Sequence, residues 1–310
     1  MNPWEALVIL GGSAALSWGV VAVSIRLAHR MNHLDYPDGE RKTQLRPIPK
    51  LGGVALAAVF TLIVVAALLI TGRLGFALGL AVLLPALGAA IVGFFDDRSS
   101  LNPYLRLVLQ GAVGMLAWVL GTQIYLTGVV ALDAALMVLW VMVIVNGINL
   151  LDNSDGLAAS TILVMSVGAA IVATMFGQAL VALMGVTLIG VAIGYLWHNW
   201  FPAKVYMGDS GAYFLGTLLA LLLVRLRPAS APVWVGVCIV LLLAILPLVD
   251  TTYVVFKRLR AGIHPFTAGR DHLSHKLQDR GASVPKSVLS LQVLSIIGVG
   301  GAVAMAAVFG

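Results

Sequence analysis

Five groups of acidic side chains interrupt an otherwise apolar chain: Asp96-Asp97, Asp152 with Asp155, Asp209, Asp250, and Asp271 beside His272 and His275. Asp, Glu, Lys and Arg make up only 10% of the 310 residues, so charge is scarce and each group needs a reason. A carboxylate at or near lipid is costly unless it is paired, hydrated or metal-bound, which makes function its default reading. Clustered carboxylate and amide oxygens suit a hard divalent cation, Mg²⁺ first and Mn²⁺ as the alternative. Nearby basic and imidazole side chains suit phosphate. Together these residue types point to metal-assisted chemistry on a phosphorylated substrate.

Each group also has a bland reading. Asp96 and Asp97 sit in GFFDDR, where adjacent carboxylates repel each other and gain from a cation; the plain alternative is a solvated loop whose Asp or Ser caps the next helix. In NGINLLDNSDGLA, Asn146 and Asn149 are three apart, as are Asp152 and Asp155. On a helix that spacing shares a face, and a simple polar turn would rarely need asparagines inside the preceding apolar run. FPAKVYMGDSG sets Asp209 among glycines at a helix start. Backbone can approach a ligand closely there, and helix N–H groups favour phosphate oxygens; the bland reading makes Asp209 the N-cap of a tight turn. Asp250 reads as a site residue or as the partner of Lys257 or Arg258. His272 and His275 lie one turn apart in AGRDHLSHKL beside Arg270 and Lys276, a set able to hold a pyrophosphate or to be an ordinary basic loop. Lys42, with Arg41, Arg46 and Lys50 in RKTQLRPIPKLGG, suits phosphate or anionic lipid.

The elements that must position these residues are membrane helices. The chain is 60% hydrophobic with a mean hydropathy of +1.01, too apolar for a soluble domain of this length. Apolar runs of about 20 residues, the length that spans the hydrocarbon core, recur from end to end. We place ten spans at 5–28, 51–71, 74–95, 103–121, 125–148, 156–176, 179–198, 211–227, 233–256 and 287–309. Short alternating segments, the mark of a membrane barrel, are absent. The first run has no basic leader and no small-residue cleavage site, so it reads as a retained helix. The single cysteine, Cys238, rules out a disulfide framework and reads as a packing residue. The expected fold is an all-α polytopic membrane protein, one integral domain over 1–310, with no internal repeat.

Loop charge orients it. Of the 19 Lys and Arg residues, all but Arg73, Arg225 and Arg227 fall in alternate loops, which are therefore cytoplasmic. Both termini then lie outside. The net charge of +6 is accounted for by this asymmetry, so no nucleic-acid partner is expected. The same assignment puts every acidic group on the cytoplasmic side, although acidic residues were not used to make it.

Taken in order, RKTQLRPIPKLGG, GFFDDR, NGINLLDNSDGLA, FPAKVYMGDSG and AGRDHLSHKL resemble the polyprenyl-phosphate N-acetylhexosamine-1-phosphate transferases, the WecA/TagO-like enzymes of glycosyltransferase family 4, and more distantly MraY. The resemblance implies ten or eleven membrane helices around a cytoplasm-facing cleft in the bacterial inner membrane. It implies transfer of a sugar 1-phosphate, with UDP-GlcNAc the expected donor, to undecaprenyl or another polyprenyl phosphate with release of UMP. It further implies Asp209 and Asn149 as the Mg²⁺ residues, and Asp96 and Asp97 as the pair that handles the lipid phosphate or its proton. Asn146, Asp152 and Asp155 match the nucleotide-sugar region, Arg270, His272 and His275 the loop that gathers sugar and pyrophosphate, and Lys42 a basic position near a phosphate. Of the catalytic set, His272 belongs with Asp96, Asp97 and Asp209. Relatives also form homodimers. The chain departs from the family pattern at Gln44, where His is usual, at Gly269 for Asp, at Ser274 for His, and at Asn153 for the first Gly of a DG-x-DG pattern; these bear on sugar preference more than on the reaction.

Two other classes compete. A cation-coupled transporter also uses intramembrane carboxylates, but near mid-bilayer and often with repeat symmetry. A CDP-alcohol phosphotransferase would carry a DG-x-x-AR signature, whereas Gly156 here is followed by Leu157-Ala158-Ala159-Ser160.

Overall fold

A computed structural model describes residues 2–37, 44, 46–71, 75–228, 231–267 and 269–309. Its helices are α1 (Pro3–Arg30), α2 (Gly52–Thr71), α3 (Phe76–Ser99), α4 (Pro103–Val119), α5 (Val130–Leu151), α6 (Leu157–Met175), α7 (Ala179–Asn199), α8 (Gly208–Val224), α9 (Val233–Leu243), α10 (Ile245–Arg260), α11 (Leu273–Asp279) and α12 (Val284–Phe309). The only strands among the described residues are β1 (Leu34–Asp35) and β2 (Ile48–Pro49), an antiparallel pair two residues long. The fold is all-α and polytopic.

Among the described residues seven helices are long and apolar enough to cross a membrane, or eight if α9 and α10 count as one span. Ten spans are thus not reached on length and hydropathy. The predicted spans 103–121 and 211–227 are α4 and α8, apolar helices of 17 residues each. The predicted span 233–256 is broken, with α9 and α10 meeting at Ala244 at 72°. Pro247 in the first turn of α10 has no N–H to return to the preceding turn. Beyond it α10 carries Asp250, Lys257, Arg258 and Arg260, which the hydrocarbon would not accept on every face.

α8 is the axis of the fold. Every residue from Ser210 to Leu223 is buried, with α2, α3, α5 and α6 packed around it. Its N-terminus meets α3 at Gly93, where a Cβ would overlap the Asp209 carbonyl. The segment before it is tied to the start of α2: Tyr206 N–H donates to the Pro49 carbonyl at 2.8 Å, and Gly52 and Gly53 N–H donate to the Tyr206 and Met207 carbonyls at 3.1 and 3.0 Å. These backbone bonds hold the starts of α2 and α8 together, at the end of the bundle where α3 and α5 finish and α6 begins.

Candidate active site

That end holds a cleft of about 670 Å³. Asp97, Asn146, Asn149, Asp152, Asp155 and Asp209 line it, and Arg270, His272 and His275 face it from the segment around α11. The structure therefore gathers nearly every residue singled out from sequence. Lys42 lies outside the described residues. Asp96 is not in the cleft wall; it is 5% exposed, behind it.

The adjacent aspartates end α3 with different partners. Asp96 accepts from the Tyr213 hydroxyl at 2.6 Å and the Leu101 N–H at 2.9 Å, and lies 3.5 Å from the Arg106 guanidinium. Asp97 accepts from the backbone N–H groups of Asp209 and Ser210, both at 3.1 Å. No side chain of its own caps α8, so Asp97 does so from α3, and Asp209 is the second residue of the helix, not its N-cap. The cap of α4 is likewise neither Asp nor Ser: Asn102 accepts from Tyr104 N–H at 2.9 Å.

Asn146 and Asn149 share a face of α5 as their spacing requires. Asn146 donates to Gln110 at 2.6 Å. Asn149 meets Asp209, Nδ2 to Oδ1, at 2.5 Å. α5 ends at Leu151, so Asp152 and Asp155 share a turn and not a helix face. Asp155 accepts from Ala203 N–H at 2.9 Å. Burial raises its pKa, and that hydrogen bond works against the rise. Asp152 accepts no side-chain hydrogen bond among the described residues. Burial, then the carboxylates of Asp209, Asp97 and Asp155, push it well above the usual carboxylate range, while Lys50 pulls the other way. A cation in the cleft would relieve that crowding.

The opposite wall is set by two carboxylates, Asp250 and Asp271, and the side chains they hold. His272 Nδ1 donates to Asp250 Oδ2 at 2.8 Å, and Leu273 N–H donates to Asp250 Oδ1 at 2.9 Å. Arg258 forks onto Asp271 at 2.8 and 2.7 Å and donates to the Pro265 carbonyl at 2.6 Å. The Arg258 hydrogen bonds hold the Asp271 carboxyl below its ordinary pKa, with burial opposing. Asp250 thus pairs with His272, not with Lys257 or Arg258. His275 is pushed down to about 4 by burial first, then by Arg270 and His272.

One cleft residue was read from sequence only as loop charge. Arg106 sits one turn into α4 and four residues before Gln110, a polar pair on one helix face that signals an interior role. Lys50 pairs with Asp35 at 3.0 Å beside the cleft. Burial disfavours its charge, but Asp35, together with Asp97 and Asp209, outweighs that and raises its pKa. Gln44 donates to Asp35 at 2.8 Å and accepts from Tyr206 at 3.1 Å, which fixes the departure from His in this wall.

Among the described residues no three His, Cys, Asp or Glu side chains stand ready as a metal cage. Mg²⁺ seldom needs one; it takes one or two carboxylates and completes its shell with water and substrate phosphates. Asp209 and Asn149 fit that demand. Their contact already joins two hard-ligand side chains, and an amide turned about its last bond presents oxygen in place of nitrogen.

Fold and cleft together define a helical membrane protein with a carboxylate-rich site at one end of the bundle. A family model described as glycosyl transferase family 4 matches residues 79–227, from α3 past the end of α8. The probable undecaprenyl-phosphate N-acetylglucosaminyl 1-phosphate transferase of Bacillus subtilis is 28% identical over 282 residues, covering 88% of this chain and 77% of the relative. The decaprenyl-phosphate N-acetylglucosaminephosphotransferase of Mycobacterium leprae is 29% identical, covering 93% and 80%. The phospho-N-acetylmuramoyl-pentapeptide-transferase of Desulforudis audaxviator is 31% identical, covering 68% and 73%. The chain belongs to glycosyl transferase family 4.

Proposed function

We propose that the chain transfers N-acetylglucosamine 1-phosphate from UDP-GlcNAc to undecaprenyl or another polyprenyl phosphate, releasing UMP, in the first membrane step of cell-envelope polysaccharide synthesis. One observation carries this reading: a single cleft joins Asp97, Asn149, Asp152 and Asp209 to Arg106, Arg270 and His272 at one end of an apolar bundle. Relatives named for this reaction over most of their length support it. Acids gathered at one end do not suit a transporter with a mid-bilayer site.

In this reading an oxygen of the lipid phosphate attacks the β-phosphorus of the sugar nucleotide. The new P–O bond forms as the bond to the UMP phosphate breaks, and the electron pair leaves on UMP. Like charges must meet, so the barrier is largely electrostatic. Arg106, Arg270 and His272 offset phosphate charge, His272 through the ring nitrogen that Asp250 leaves unused. Asp97 has lone pairs beyond its two backbone bonds; it orients the lipid phosphate and takes its proton when one is present. Asp96 holds Arg106 and Tyr213 in place behind the wall. Asn146, Asp152, Asp155 and His275 form the nucleotide-sugar side. Mg²⁺, held by Asp209 and Asn149, would neutralise the diphosphate and stabilise the departing phosphate. The basic loops support a cleft that opens to the cytoplasm from the bacterial inner membrane. A homodimer is compatible with the reading.

The test is direct. Purified protein, Mg²⁺ and undecaprenyl phosphate are incubated with a panel of UDP-sugars, and UMP is measured. UMP and a lipid-linked sugar diphosphate are expected with UDP-GlcNAc. No UMP from any donor would sink the assignment.

A further inference from the structure

The opposite end of the bundle has a cavity of its own. The start of α3, the 121–125 turn after α4, the start of α7 and the residues that end α8 enclose about 420 Å³. Two guanidinium groups reach it, those of Arg225 and Arg227, and no carboxylate lies among its described lining residues. The acids at this end are engaged elsewhere: Glu5 closes the capping box of α1, and Asp133 Oδ1 accepts from Thr127 and Leu126.

Both arginines are fixed by neutral partners. Arg225 Nη2 donates to Thr122 Oγ1 at 2.7 Å. Gln178 Nε2 donates to the carbonyls of Arg225 and Arg227, at 2.8 and 3.1 Å, which pins the backbone that carries the pair. The Arg227 guanidinium lies 4.7 Å from the Tyr125 ring centroid and donates to the Gln123 carbonyl. Arg225 Nε is buried and makes no hydrogen bond among the described residues. Arg225 is half-buried beside the more exposed Arg227, and a partly desolvated cation next to a like charge is costly unless an anion joins it. Their remaining N–H groups form the kind of fork that phosphate oxygens fit. Leu78, Leu180 and Val181 complete the cavity with an apolar wall.

We propose that this cavity is a second, non-catalytic site that binds a phosphate group, carried by an anionic lipid headgroup or free in solution. The site is independent of the transferase cleft and of its chemistry.

Native mass spectrometry of the detergent-purified chain, titrated with phosphatidylglycerol, phosphatidylcholine or inorganic phosphate, tests it. The wild type is expected to bind phosphatidylglycerol about tenfold more tightly than phosphatidylcholine. Arg225→Gln and Arg227→Gln should each lose that preference, and Arg227→Lys should recover part of it. The exposed pair Lys257→Gln/Arg260→Gln, at the other end, should leave it intact. Displacement of phosphatidylglycerol by millimolar phosphate assigns the site to the free anion; a preference that resists phosphate assigns it to lipid. UMP release by each variant checks that the protein is folded. A wild type that shows no preference and no phosphate binding overturns the proposal, as does an Arg227→Gln protein with undiminished preference.

Discussion

Asp97 closes the N-terminus of the helix that carries Asp209: its two oxygens accept the Asp209 and Ser210 N–H groups, each at 3.1 Å. A side chain from α3 thereby sets the position of a residue on α8. Asp97→Asn turns an amide N–H₂ toward one of those N–H groups and loses a charge-assisted bond. The cost is about 1–3 kcal/mol of stability, read as a lower thermal midpoint in detergent. UMP release should fall by about a hundredfold or more. Full activity in a normally stable Asp97→Asn protein would remove Asp97 from the site.

Asp209 and Asn149 make a second such pair, and here the prediction concerns the metal. Removal of divalent ions with EDTA should abolish UMP release, and Mg²⁺ should restore it. Bound Mn²⁺, followed by electron paramagnetic resonance, should weaken by about tenfold or more in Asp209→Asn, since one anionic ligand of a hard cation is lost. Unchanged Mn²⁺ binding in that variant would place the metal elsewhere.

Asp250 is 1% exposed and reaches substrate only through His272, so it is a positioning residue. Asp250→Asn should lower kcat by about a hundredfold with little change in the KM for UDP-sugar, because the imidazole loses its fixed tautomer and aim. His272→Gln should leave the Asp250→Asn substitution with no further effect. Additive losses in the double variant would separate the two residues.

Ser274 donates to Asn153 at 2.6 Å, so two departures from the family pattern face each other. Asn153 also donates to the Leu150 carbonyl at 2.6 Å. Ser274→Ala frees one acceptor at the cleft edge. The ratio of kcat/KM among UDP-sugars should change while the reaction itself persists. An unaltered donor ranking would show that this pair does not shape the sugar pocket.

His275 carries a pH signature. Burial holds it neutral down to about pH 4 in the folded chain, against about 6.5 when unfolded. Between those values the unfolded chain binds the extra proton, so stability rises with pH and is lost as pH falls from about 6.5 toward 4. The thermal midpoint of the wild type should drop more between pH 7.5 and 5 than that of His275→Gln. Parallel curves would contradict a buried, neutral imidazole.

Much of this was legible in one dimension because lipid imposes one-dimensional demands. A spanning helix must satisfy its backbone internally and present about 20 apolar residues, so α1, α2, α3 and α5 could be read from hydropathy alone. Scarce charge marked the acidic groups for the same reason. The bend at Ala244 was hidden because VWVGVCIVLLLAILPL is apolar on both sides of it, and only Pro247 hinted at a break. The seven-residue α11 was hidden by its polar composition.

What the chain determined by itself was the set of groups able to meet phosphate and the apolar helices that bear them. Which carboxylate faces the cleft, which caps a helix and which aims a histidine was decided only when distant segments packed. Asp96 and Asp97 are neighbours in sequence, yet one lies behind the wall and the other in it. Successive helical residues point about 100° apart, and only α8, arriving from more than a hundred positions away, gave the two directions different partners.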